Sequence, residues 1–282
     1  DRMPPSVKMV AGSLRLGFLS VIIQLLRWPD WQLPSLFTRG FHVCGHVEAS
    51  NVYPDIEVNP ELLFADISSL DEADKWNEKL SKDTTPREYD EEIFATACEQ
   101  RAAGLLSPFM TKKQMDSQLG KGQWRALRRR GIWQGHVRTD GSKKIRGIDN
   151  ARTSLHNAAA FLTETIATTP PDIALQICAW LAHCGVPHEE LQKLIAGVGS
   201  DDLQDAYHGV PNASSELNFC VVAFRDTTTN EIKFATSYGH LFGFAAAVVN
   251  FNRLPELLTA ACRRLGAAPT WHFFDDQGVL EL

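Results

Sequence analysis

The sequence lacks any C-x-x-C pair among its 6 cysteines, Cys44, Cys98, Cys178, Cys184, Cys220 and Cys262. That argues against a disulfide framework and for reduced thiols inside a cell. It also lacks the ~20 consecutive apolar residues that a membrane-spanning helix needs. Its longest apolar run, VAGSLRLGFLSVIIQLL at residues 10–26, carries Arg15 within it and reads as a buried helix, so no membrane partner is expected. Glycine (19) and proline (14) are too few in 282 residues for a collagen-like chain, and 44% hydrophobic content is too high for a disordered one. What remains is a globular sequence of one large or two medium domains. A starting Met is missing as well: the chain begins at Asp1, which reads as a piece of a longer product. His42, Cys44 and His46 lack a partner pair at usable distance, and their alternation suits a strand better than a zinc site.

Charge is unevenly placed. From Asp55 to Gln100 there are 14 acidic and 4 basic residues, whereas from Thr111 to Arg146 there are 11 basic and 2 acidic. The formal net of -6 therefore hides a basic block. Lys112-Lys113, Arg128-Arg129-Arg130 and Lys143-Lys144 lie in it with Trp124 and Trp133 between them, a composition able to neutralise phosphates and stack on bases. A solvated helix face has the same composition.

Periodicity orders the chain after the first hundred residues. Asp90 to Leu106 reads as a helix, and Thr111 to Arg130 as a basic helix broken by Gly120 and Gly122. IWQGHV and KKIRGI flank RTDGS, with Asp140-Gly141 as a tight-turn pair, which predicts a hairpin. Helices are expected over 153–167, 171–184 and 187–196. LIAGV then leads to DDLQDAY, LNFCVVAF and EIKFATS pair around RDTTTN, a long helix covers about 244–265, and WHFFDDQGVLEL forms a last hairpin. That order predicts an α+β layer, an antiparallel sheet with helices on one face.

An Asp-Asp pair alone is at home in a solvated turn, and this chain has two. Order and spacing make more of them. Asp202-Leu-Gln-Asp205-Ala206-Tyr207, then Phe242-Gly243, then Phe273-Phe274-Asp275-Asp276 resemble motifs A, B and C of the reverse transcriptase palm. Lys144-Ile-Arg146-Gly-Ile-Asp149, followed by Arg152 and Asn157, resembles the fingers strand and the D-x-x-R-x-x-N region after it. KKIRGIDNAR is also similar to a stretch of reverse-transcriptase-like genes of protists such as dinoflagellates. The likeness covers roughly residues 90–282. Phe273 stands where the family most often has Tyr, Leu241 where it has Pro, and Arg146 lies one position closer to Asp149 than is common.

The resemblance implies a right-hand polymerase whose ferredoxin-like palm occupies 198–282 and whose fingers occupy 90–197, with 1–89 as an N-terminal extension and the chain ending before a thumb. It implies RNA-directed DNA synthesis on an RNA or DNA template with a primer, using deoxynucleoside triphosphates and two Mg²⁺ ions, replaceable by Mn²⁺. Asp202, Asp275 and Asp276 would hold the metals. The family's aromatic residue stands five positions after the metal-binding Asp, which makes Asp202 the ligand, Asp201 its neighbour and Tyr207 the residue beneath the sugar. Lys144, Arg146, Asp205, Ala206, Phe242 and Gly243 would contact the nucleotide, and Phe273 and Phe274 the template and primer. Retroelement origin implies a place inside the cell, with the nucleus one compartment consistent with it, and a thumbless chain is expected to hold primers weakly. The alternatives are a non-catalytic remnant that at most binds nucleic acid, and an interaction domain in which FFDD and DDLQDAY are turns.

Overall fold

The computed structural model describes residues 3–56, 67, 69–137, 139, 141–170, 172–190, 198–203 and 206–280, the side chains of Val198, Asp201 and Asp202 excepted. The fold is α+β. Its strands are β1 (Gly45–His46), β2 (Ala126–Val137), β3 (Lys143–Asp149), β4 (Ala160–Phe161), β5 (Val198–Asp202), β6 (Val221–Asp226), β7 (Glu231–Thr236), β8 (Thr270–Phe273) and β9 (Asp276–Leu280). A four-stranded mixed sheet has the order β3-β2-β6-β7, a three-stranded antiparallel sheet the order β5-β9-β8, and β1 pairs with β4. The helices are α1 (Pro5–Ala11), α2 (Leu16–Leu26), α3 (Leu33–Arg39), α4 (Leu70–Lys82), α5 (Asp90–Ala102), α6 (Lys112–Leu119), α7 (Ile173–His183) and α8 (Ala245–Gly266).

Both faces of the mixed sheet are covered, and the two-residue period of a strand sorts its side chains between them. Leu127, Val222, Phe224 and Ala235 pack with Ile93 and Ala97 of α5. Ala126, Val221, Ala223, Ile232 and Phe234 pack with Leu80 of α4 and Met115 of α6. Burial on two sides explains why VVAF is uniformly apolar, as central strands are. It also explains the parallel pairing of Ala126, Leu127 and Arg128 with Val221, Val222 and Ala223. The sequence order suggested one antiparallel layer. Instead β6 and β7 join the upstream hairpin, and β5, β8 and β9 form a sheet of their own.

Three local expectations differ from the structure. The basic helix ends at Leu119 before Gly120, whose φ is +88°, and Arg128-Arg129-Arg130 lie in β2. Residues 151–159 are turns rather than the start of a helix. Asn150 there accepts the Thr153 N–H at 3.0 Å, Ser154 Oγ donates to the Asn150 carbonyl at 2.9 Å, and Leu155 has φ +68°. Short polar side chains compete with the helical ladder in this way. The apolar run near the N-terminus is two helices bent by 71°, broken around Gly12 and Ser13. Only one face of α2, that of Leu19, Ile22, Ile23 and Leu26, is covered, while Phe18, Val21 and Leu25 are exposed. No single helix among the described residues is long and apolar enough to cross a membrane. Most of the helix expected over 187–196 lies outside the described residues.

Helix α8 ties the chain together. Phe251 and Leu257 pack with Leu26, Leu33 and Phe37 of the first three helices. Arg253 donates twice to Asp30, both bonds 2.7 Å long with both side chains fully buried, and once to the Glu48 carbonyl at 3.0 Å. A desolvated charge pair of this kind holds geometry, since losing either partner would strand the other in a dry interior.

Candidate active site

The β8–β9 hairpin turns on two residues, Phe274 and Asp275, with Phe274 at φ +55°. Asp276 opens β9. On one side it pairs with Phe273, on the other with Asp202, the last residue of β5. The Leu203 N–H donates to the Asp275 carbonyl at 3.0 Å, so the β5 ladder closes on the turn itself. Opposed Cα atoms in an antiparallel pair stand roughly 4.5 to 5.5 Å apart. Backbone register thus brings Asp202, Asp275 and Asp276 to one corner of the sheet. Gly278 makes the hairpin close: a Cβ there would stand 2.2 Å from the Trp271 ring. Phe273 and Phe274 meet edge to face at 4.9 Å, and Phe273 is exposed.

Around that corner the other segments converge. Tyr207, half-buried in a 3₁₀ turn (Ala206–Gly209), packs on Phe242 at 4.8 Å and on Phe251 at 5.3 Å. Burial raises its phenol above the usual range, the Asp275 charge raises it further, and Arg146 opposes both. Those influences place Asp275 and Arg146 in electrostatic reach of one hydroxyl. The Arg146 guanidinium lies over the Phe242 ring at 5.1 Å. Lys144 and Arg146 line a cavity of about 210 Å³ together with Phe242, Gln134 and His208. Asp205 lies outside the described residues; Ala206 has φ +27°.

Gly243 is a joint between elements. Its φ is +133°, and a Cβ would meet the Asp149 carbonyl oxygen at 1.8 Å. The Asp149 N–H donates to the Phe242 carbonyl at 2.7 Å. Asn157 donates to the Gly243 carbonyl at 2.8 Å and accepts the Ala245 N–H at 2.9 Å, so it caps α8 from another segment. Beneath Phe242 runs a buried chain. Arg129 binds both oxygens of Asp149, at 2.8 and 3.1 Å, and donates to Gln100 at 2.6 Å, whose amide nitrogen meets His208 Nε2 at 2.9 Å.

The described residues singled out in the sequence therefore gather on one side of the molecule, Asp202 by its backbone. Sequence reasoning missed Gln100, Arg129 and His208. The signal was faint: Arg129 sat inside a basic run that reads as one solvated block. The potential donors at the corner are carboxylates, hard oxygens of the kind that suit Mg²⁺ better than zinc. Among the described residues no cluster of three or more His, Cys, Asp or Glu is poised around an ion, and the Asp202 side chain is not among those described. No protein-family model matches the chain, and no curated protein matches it.

Proposed function

We propose that this chain carries the fingers and palm of a reverse-transcriptase-like nucleotidyltransferase. One observation carries the reading most: the register that sets Asp202 opposite Asp276, with Asp275 in the turn between Tyr207 and the β5 end. Asp202, Asp275 and Asp276 would hold two Mg²⁺ ions, which in such sites activate the attacking hydroxyl and stabilise the leaving pyrophosphate. Arg146 and Lys144, facing the same cavity, bind the triphosphate oxygens. Tyr207 supports the sugar, and Gly243 leaves backbone uncovered beside the base pair. The exposed Phe273 offers an apolar face to the primer strand. Template and primer run along the basic hairpin.

Binding of a fluorescent deoxynucleoside triphosphate is the direct test. The chain is expected to bind it only with Mg²⁺ or Mn²⁺ present, and Asp275→Asn and Asp202→Asn should each lose that metal dependence while remaining folded. Removing one of several clustered carboxylates relieves like-charge repulsion, so melting temperatures should hold or rise. Equal metal-dependent affinity in both variants would refute the site.

Tyr207 gives an independent check. Its ring is backed by Phe242 and Phe251 and cannot retreat, so it should exclude a ribose 2′-hydroxyl by overlap. Tyr207→Val should lower the preference for deoxy- over ribonucleotide by about ten- to a hundredfold. A purely structural ring predicts equal losses toward both sugars and an unchanged ratio.

A further inference from the structure

The three consecutive arginines of β2 have three different environments. Arg129 points to the α5 face and is consumed by Asp149 and Gln100. Arg130 is exposed. Arg128, on the α4 face, is 4% exposed, and all three of its guanidinium nitrogens lack a hydrogen-bond partner. Five N–H donors on a permanently charged group are thus left empty in a desolvated place, which is costly unless an anion completes it. Of the two carboxylates whose charge reaches it, Asp83 is bound to Arg87 at 2.6 Å. Asp90 lies beside Arg225 at 3.5 Å and takes the Arg87 N–H at 2.9 Å.

Beside Arg128 is a cavity of about 160 Å³ between α4 and β2. Lys79 and Arg130 line it, both exposed, with Trp76 forming an apolar wall and Asn150 and Thr153 completing the rim. Three cations face this space against the single committed Asp83. It lies across the mixed sheet from the Lys144–Arg146 cavity, because Arg128 and Arg129 alternate between the faces. We propose that this cavity is a phosphate-binding site, with Arg128 as its buried anchor and Lys79 and Arg130 at its mouth. The ligand is a phosphate dianion, supplied either as free phosphate or as the terminal phosphate of a nucleic-acid strand. The Arg128 nitrogens are covered before the ligand arrives, so a shift of the wall is needed for phosphate oxygens to reach its bidentate fork. This inference does not depend on the polymerase reading and survives its failure.

Thermal unfolding in inorganic phosphate, against sodium chloride at matched ionic strength, tests it. A ligand that binds only the folded state raises the midpoint with each tenfold increase in concentration. The unaltered chain should show that rise, and Arg128→Met, which fills the same space without charge, should show none. Lys79→Gln combined with Arg130→Gln changes only exposed residues and should weaken phosphate binding at least several-fold. If Arg128→Met does not fold, this double variant decides alone. A 5′-phosphorylated oligonucleotide that outcompetes its 5′-hydroxyl twin identifies a strand end as the source; equal competition with a response to inorganic phosphate identifies the free anion. Absence of a phosphate-specific rise in the unaltered chain, or an undiminished response in the variants, would overturn the proposal.

Discussion

Lowering the pH from 7 to 5 is expected to remove about 4 kcal/mol of stability through two histidines alone, His156 and His240. Both are completely buried, and burial holds each ring at about 3, far below its usual range. Hydrogen bonding shows why His240 stays neutral. Asn212 uses its amide nitrogen on the carbonyls of Ser237 and Gly239, so its oxygen must accept from His240 Nδ1 at 2.7 Å. Asn250 donates to the His42 carbonyl, so its nitrogen also donates to His240 Nε2 at 2.9 Å. Each ring nitrogen is already satisfied in one tautomer. A second proton on Nε2 would set two donors against each other. His156 Nδ1 lies 2.8 Å from the Ser154 hydroxyl, and nearby Arg125 disfavours its charging. These rings have depressed folded values, so below about 6.5 the unfolded chain binds protons that the native one refuses. Stability is therefore full above that pH and drains away between it and about 3. Asp30, Glu216 and Glu256, held above the usual carboxylate range by burial, act in the opposite sense as pH falls. Comparing slopes isolates the rings: urea titrations of His240→Gln should show a dependence on pH smaller by about 1.4 kcal/mol per unit between 6 and 4. Identical slopes would mean that His240 titrates normally in the fold.

Gly243→Ala should cost about 4 kcal/mol, a strained backbone plus a hard overlap. The added carbon would lie 1.8 Å from the Asp149 carbonyl oxygen, a backbone atom that cannot swing aside. Relief requires the Phe242–Gly243 segment to lift off β3, breaking the Asp149 N–H bond to the Phe242 carbonyl. It would also pull Phe242 from Tyr207 and Arg146. Gly135→Ala is the matched comparison. Its φ is +79° with nothing within 4 Å of the new carbon, so only backbone strain of about 1 to 2 kcal/mol is expected. Denaturant unfolding of the pair measures the difference, and costs within 1 kcal/mol of each other, by the usual scale of mutational effects, would show that the overlap relaxes.

Local signals carried a good part of this architecture. The final hairpin, the strands around RDTTTN and the long helix before it each have a turn pair, a β-branched run or a small-residue start in their own residues. The β2–β3 hairpin was legible for the same reason. What escaped was everything decided at a distance. Nothing in Ala126-Leu127-Arg128 announces a parallel partner at Val221-Val222-Ala223, because parallel pairing leaves no turn between its strands. Arg128-Arg129-Arg130 read as one block, yet strand alternation and cover on both faces give each a separate fate. The turns at 151–159 were mistaken for a helix because their helical spacing hid Asn150 and Ser154 bonding to nearby backbone. At the candidate site, order along the chain singles out Asp275, Asp276, Tyr207, Phe242 and Gly243, and the structure shows that they lie near one another. Gln100 and His208 were not legible, since an amide on a helix acquires meaning only when a tertiary contact brings an imidazole to it.

The pair between Asp30 and Arg253 sets an order of events during synthesis. Its members are 223 positions apart. At common translation speeds of about 5 to 20 residues per second, the first helices leave the ribosome roughly 10 to 45 seconds before the arginine that closes over them. Through that interval Asp30 is an ionised group with no counter-charge, and the apolar faces of α2 and α3 have no α8 to cover them. The helices on the Asp30 side of the pair are thus made well before they are locked, which leaves a chaperone a long interval in which to bind them.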